Sequence, residues 1–209
     1  MRKDLILAAV FALLALQTGS PAAPPPAAPQ SASRSKAPAL NASQPYDDPD
    51  AYEVYAALFK ESYGRGLAPI AIQSEAESRR PLCSDAGSSS DPRFVEAIRD
   101  YSRQNGNPRF LKAEALKFGD QVRLISPDEL KPIFAKGPIA GWKTFYKTYP
   151  GTSGLGTLSA VGFSNDRRFA LVYSSGSCGS LCGAGGFTTL TKKNGAWQRT
   201  QDHLCEWIS

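Results

Sequence analysis

Cys178, Cys182, Ser177 and His203 are the residues whose types and spacing could do chemistry in this chain. The two cysteines lie in GSCGSLCGAGG, residues 176–186, which holds five of the chain's 18 glycines. Four chemistries compete for this stretch. A phosphate cradle needs a strand, then GxxxxGK[ST], then a helix; here no lysine follows before Lys192, and GxGxxG is absent. A dithiol redox centre favours CxxC at a helix N-terminus, where the positive end of the helix lowers a thiol pKa; the spacing here is CxxxC, between two predicted strands. A nucleophile at Cys178 or Ser177 needs a base. His203 is the only histidine of the chain. It lies on the last predicted strand between Asp202 and Leu204, from where neighbouring strands could carry it to the loop. The fourth chemistry is a disulfide that staples a bend.

The disulfide is favoured because of where the chain is expected to go. Arg2 and Lys3 precede an uncharged apolar run from Leu5 to Leu16, and the small residues Ser20, Ala22 and Ala23 follow. That order predicts a secretory signal peptide over residues 1–22, with the mature chain beginning between residues 19 and 24. The run is too short for the roughly 20 apolar residues that span a bilayer, so no membrane span is expected after signal removal. Export places the protein in the periplasm or outside the cell, where an even cysteine count points to bridges. Four cysteines allow three pairings. Cys178–Cys182 and Cys83–Cys205 are expected, since three intervening residues, two of them small, can bring the Cα atoms of the first pair close enough. In the chain-entropy treatment the short ring contributes about 2 kcal/mol and the long one about 5 kcal/mol. Glycines then supply the backbone freedom of a tight, crosslinked loop, whose exposed N–H groups could still take an anion.

Residues 23–45 are rich in Pro, Ala and Ser, with Leu40 as their one large apolar residue. Such a segment cannot bury enough surface to offset its ordering entropy, so a disordered linker is expected. Residues 46–209 have the length of one domain. The formal charge of +5 falls to +4 when the signal removes two cations and an anion. Basic residues are scattered among acidic ones, with neither the basic face nor the module that nucleic-acid binding requires. Anionic envelope polymers and envelope proteins remain the partner classes that a mildly basic surface suits. A single histidine excludes a metal site built on several imidazoles, and no cofactor motif is present. Asp47, Asp48, Asp50 and Asp91 read as capping residues rather than acid/base pairs.

The elements that would position these residues change character along the chain. Asp48-Pro49 and Asp91-Pro92 are helix starts, and Ser126 with Glu129 forms a capping box around Pro127. Tyr52, Tyr55, Leu58 and Phe59 predict a helix over 49–62, and Phe94, Ala97, Ile98 and Tyr101 one ending at Asn105-Gly106. NPRFLKAEALKFG predicts a further short helix, and Trp142, Phe145, Tyr146 and Tyr149 give an aromatic helix ended by Pro150. Strands are expected over 68–74 and in DQVRLI. After Pro150 the pattern alternates, with turns at Asn165-Asp166 and Asn194-Gly195. The expected fold is α+β: N-terminal helices packed on one face of a C-terminal antiparallel meander sheet.

AYEVYAALF, GWKTFYKTYPGTSG, SAVGF, ALVY, CGSLCGAGGF, KKNGAW and the terminal WIS resemble a family of secreted or lipid-anchored bacterial proteins without assigned function. The resemblance spans most of residues 50–209 and implies an envelope location. It implies no activity, substrate or catalytic residue. Cys83 and Cys205 lie outside its pattern. The expectation is an exported, non-enzymatic binding or interaction module. The alternative is a secreted hydrolase using His203 with a Ser or Cys of the 174–182 loop. A third reading is an inhibitor presenting the stapled loop to an enzyme.

Overall fold

The computed structural model describes residues 44–63, 69–78, 91–118, 121–200 and 206–209. The chain divides into residues 1–37 and 38–209, and all described residues belong to the second unit. The expected signal peptide, nearly all of the linker, Cys83, His203 and Cys205 lie outside the described residues.

The first helix, α1, spans Pro49–Tyr63. The Asp48 carboxylate accepts from the Asp50 amide at 3.1 Å, and Pro49 occupies a position whose N–H would be unpaired anyway. Ala51, Tyr52, Val54, Tyr55 and Leu58 are buried, at the helical spacing read from the sequence. In α2 (Pro92–Gln104) the Asp91 side chain accepts from the Arg93 amide, and Phe94, Ala97 and Tyr101 form the buried face. In α3 (Pro127–Phe134) the Ser126–Glu129 capping box is complete in both directions. The aromatic helix, α4, spans Pro138–Thr148 and buries Gly141 and Phe145. Burying a side chain the size of Phe145 contributes roughly 1.5–3 kcal/mol.

Among the described residues, ten strands complete the fold. β1 (Gln44–Pro45) pairs in parallel with β3 (Arg109–Phe110) in a small ribbon. β2 is Ile70–Gln73, β4 Val122–Ile125, β5 Leu155–Leu158 and β6 Gly162–Phe163. β7 is Phe169–Gly179, β8 Cys182–Lys193, β9 Ala196–Arg199 and β10 Glu206–Ile208. The main sheet runs β10–β8–β7–β5–β2–β4, with β6 beside β7 and β9 beside β8. The C-terminal strands pair antiparallel, as the meander reading expects. At the β8–β9 turn Asn194 and Gly195 have φ of 51° and 79°, the left-handed pair that such a hairpin needs.

The protein is α+β, with two departures from the expected arrangement. The sheet is mixed, because β2 joins it in parallel with both β4 and β5. The helices also cover both faces rather than one. Ala170 and Val172 of β7 belong to the cluster around α1, while Phe169, Leu171 and Tyr173 belong to the cluster around α2. Likewise Ile72 of β2 packs in the α1 cluster, and its neighbour Ala71 in the cluster of α3 and α4. Successive strand residues point to opposite faces, so α1 lies on one side and α2, α3 and α4 on the other. The short helix expected in NPRFLKAEALKFG is instead β3 followed by a single 3-10 turn, Ala113–Ala115. Leu111 and Leu116 are drawn into the α1 cluster, and the Leu111 amide bonds to the Ser74 carbonyl at 2.8 Å; tertiary contacts override the local helical preference.

One close approach fixes α2 on the sheet. A Cβ added at Gly162 would fall on the Ala97 carbonyl and within 2.5 Å of the Tyr101 amide nitrogen. Only glycine lets β6 come that near the helix backbone.

Candidate functional site

GSCGSLCGAGG is the end of the β7–β8 hairpin. Gly179 pairs with Cys182 after a register shift beyond Ser177, leaving Ser180 and Leu181 as the turn. Cys178 and Cys182 form a disulfide with Cα atoms 5.1 Å apart. The glycine-dense bend is therefore a stapled hairpin tip, and the bridge occupies the sulfur that a nucleophilic Cys178 would use. Residues 174–177 and 182–186 take part in the ladder with β5, β8 and β10. Ser177 lies inside that ladder, opposite Leu155 and Gly183, with its hydroxyl over Gly183. The Tyr146 hydroxyl of α4 donates to the Cys178 carbonyl at 3.0 Å, tying the tip to a helix. His203, its proposed base, and the Cys83–Cys205 pair lie outside the described residues.

A concave site is found on the α1 side of the sheet. α1, the β8–β9 hairpin and the segment after the 3-10 turn enclose a groove of about 1170 Å³. Ala56 and Ala57 leave room along α1, and Phe118 and Trp197 supply aromatic surface. Lys60, Lys117 and Arg199 bring three cations to this groove, against one acid, Glu53. Glu53 is in turn 3.5 Å from the Lys192 ammonium, so the groove is net positive.

A second groove of about 360 Å³ shares Arg199 with the first. Its floor is a cross-strand row in which Ile72 faces Gly156, Gly156 faces Gly176, Gly176 faces Ala184, and Ala184 faces Ile208. The small residues at the centre leave a trough between two isoleucines. A Cβ at Gly176 would meet nothing within 4 Å, so the trough is open above it.

Charges near the start of α1 are spent on architecture. Arg167 reaches Asp48 at 2.6 Å and Asp50 at 2.7 Å, and Lys192 reaches Asp50 at 3.0 Å. Partial burial raises the Asp50 carboxyl, but hydrogen bonds from Arg167 and Lys192 outweigh it and hold the group below its ordinary value. These pairs hold Arg167 at a φ of 53°, a left-handed conformation uncommon outside glycine. Three tyrosines behind them are also structural. Tyr55 donates to the Ser159 carbonyl at 2.7 Å and Tyr52 to the Tyr46 carbonyl at 2.8 Å. Desolvation raises the pKa of all three of Tyr46, Tyr52 and Tyr55, which keeps their hydroxyls protonated.

Lys60, Lys117 and Arg199 are the residues that sequence reasoning missed as a group. Each was one of many scattered basic positions, and only packing of α1 against β9 brings them around one cavity. Among the described residues no group of three or more His, Cys, Asp or Glu side chains is placed to hold a metal ion, and no helix is long and apolar enough to cross a membrane. Comparison with protein-family models, with curated proteins and with solved structures finds no match to this chain.

Proposed function

We propose that this chain is an exported, non-enzymatic binding module of the bacterial envelope, and that it holds an anionic envelope polymer in the groove between α1 and the β8–β9 hairpin. The observation that carries the reading is the convergence of Lys60, Lys117 and Arg199 on the groove of about 1170 Å³ beside Phe118 and Trp197. Cations around a concavity raise the local concentration of an acidic ligand, and the aromatic surface rewards the apolar parts of its repeat units. An exposed disulfide at the hairpin tip is compatible with an oxidising compartment.

The test is calorimetric titration with two soluble polyanions, oligoglutamate and short polyphosphate, at several salt concentrations. The expected result is saturable binding to at least one of them, weakening as salt rises. A variant carrying Lys60→Gln and Lys117→Gln loses that binding, and His203→Ala retains it. Absence of saturable binding overturns the reading. So does ester or amide hydrolysis that disappears in a folded His203→Ala variant, which would favour the hydrolase built on the 174–182 loop.

A further inference from the structure

The hairpin tip and α4 form a second surface, distinct from the groove. Three large hydrophobic side chains are far more exposed than any others among the described residues: Leu181 at 89 %, Ile208 at 86 % and Ile139 at 80 %. Leu181 is in the turn of the stapled tip. Ile208 faces Ala184 in the trough row on the α1 side of the sheet, so it belongs to the opposite face and takes no part in this surface. Ile139 begins a line along α4 that continues through Trp142 and Tyr146 at helical spacing. The Trp142 and Tyr146 rings stack with centroids 5.8 Å apart, and the Tyr146 hydroxyl grips the Cys178 carbonyl. An apolar and aromatic strip therefore runs from the start of α4 to the tip of the hairpin.

The charge on α4 itself has one sign. α4 carries Lys143 and Lys147 and no acidic residue. Ile139, Lys143, Tyr146 and Lys147 recur every three or four positions, so they share one side of the helix. Lys136 sits just before the helix start. Exposed aliphatic tips, aromatic rings that tolerate a half-wet setting, and flanking lysines are together the composition of a surface that rests in a lipid interface. A protein partner of standard size would cover a contiguous patch of roughly 800 Å² on this side. Here Leu181 and Ile139 protrude singly from a hairpin turn and a helix start, which suits shallow entry among headgroups.

We propose that α4 and the Cys178–Cys182 hairpin tip dock this protein on an anionic lipid surface. Leu181 and Ile139 enter the boundary between headgroups and acyl chains, Trp142 and Tyr146 lie at headgroup level, and Lys136, Lys143 and Lys147 meet the lipid phosphates. The disulfide makes the tip a rigid wedge, so little ordering entropy is lost on entry. The docking is peripheral and reversible, since no bilayer-spanning element takes part.

The test is co-sedimentation of the protein, in the form that cells accumulate, with vesicles of phosphatidylglycerol and phosphatidylethanolamine, and with phosphatidylcholine vesicles as the neutral arm. Binding to the anionic vesicles and little to the neutral ones is expected. Lys143→Gln with Lys147→Gln lowers the partition coefficient by roughly 30-fold, and Leu181→Ser lowers it by about tenfold. All three positions are exposed, so unchanged thermal midpoints check that these variants remain folded. Lys60→Gln with Lys117→Gln, which removes groove charge, leaves vesicle binding intact and so separates this proposal from the polymer-binding reading. Equal binding to both vesicle types, no binding to either, or indifference to Leu181→Ser overturns the proposal. So does a soluble polyanion that displaces the protein through the α4 lysines alone.

Discussion

Asn105→Ala gives a direct measure of what joins α2 to the sheet. The Asn105 amide nitrogen donates to the Tyr101 carbonyl at 2.8 Å and to the Ala160 carbonyl at 3.0 Å, and its oxygen accepts from the Ala160 amide at 2.8 Å. The side chain thus acts as a strand partner for Ala160, a residue only 1 % exposed. Truncation leaves the Ala160 N–H without that acceptor, at a cost of about 1–3 kcal/mol for a buried donor. The Ala160 carbonyl keeps the Ser159 hydroxyl at 2.9 Å, so the lost donor contributes only the roughly 1 kcal/mol of an ordinary hydrogen bond. The sum is about 2–4 kcal/mol, a large part of the roughly 5–15 kcal/mol that stabilises a typical domain. Urea denaturation followed by tryptophan fluorescence reads this as a lower midpoint with an unchanged slope. Asn105→Asp adds a sign test. It keeps the acceptor for Ala160 but turns a carboxylate oxygen toward two carbonyls, which raises the folded-state pKa above the unfolded value of about 3.9. Its deficit therefore shrinks as pH falls from about 7 toward 5, where the wild type stays flat. A stability within about 0.5 kcal/mol of wild type for Asn105→Ala, the range of an ordinary surface change, would refute the claim that this side chain splices helix to sheet.

Other contacts of the fold carry two more expected outcomes. Replacing Cys178 and Cys182 by serine removes a five-residue ring, which costs at most about 2 kcal/mol in the chain-entropy treatment; hydrogen exchange should quicken at 177–184 only, because pairing continues down the hairpin to Phe169 and Thr191. Loss of protection throughout the sheet would mean that the staple holds more than the tip. Acid should destabilise the fold through Asp50, Asp91 and Asp166, whose carboxyls are all held below their ordinary value, the latter two chiefly by hydrogen bonds from Arg93 and Ser164. A depressed folded-state pKa contributes stability that is present above the unfolded pKa of about 3.9 and lost as pH falls through the folded one. Thermal midpoints should therefore hold from neutral pH to about pH 4 and drop below it, and Asp50→Asn should shrink that drop; an identical acid limb in the variant would contradict the role of the Arg167–Asp50–Lys192 network.

The sequence was legible where a short stretch carries its own instruction. Asp91-Pro92, the Ser126–Glu129 box and Asn194-Gly195 each satisfy or bend the backbone within four residues, and each stands where its chemistry says. Pairing over distance was not legible. IAI and VRLI both read as strands, but nothing local says that β2 lies parallel to β4 and also to β5. Two-sided burial did leave a trace. FALVY, residues 169–173, is buried at every position, and an unbroken apolar run is what a strand covered on both faces requires. The one-face expectation weighed helix order above that run. KAEALKF misled for a different reason, because Ala, Leu and Lys favour helices while Leu111 and Leu116 are needed in the α1 core.

The candidate site was the least legible part because it is made of charge, and charge acquires meaning only after folding. Arg167 and Lys192 look no different in the sequence from Lys60, Lys117 and Arg199, yet the first two close on carboxylates of the α1 start while the last three border a cavity. The lysines of α4 form a third set. Alternate strand residues send Ile72 toward α1 and Ala71 toward α4, so the groove and the α4 strip stand on opposite faces of one sheet. A protein resting on lipid through α4 would then keep the α1 groove turned to solvent, and binding at one face leaves the other accessible. That separation predicts independence: lipid and polyanion should bind together, with neither weakening the other beyond the shared effect of salt. Competition between them would show that both ligands use the same cations, and the two-surface account would fall.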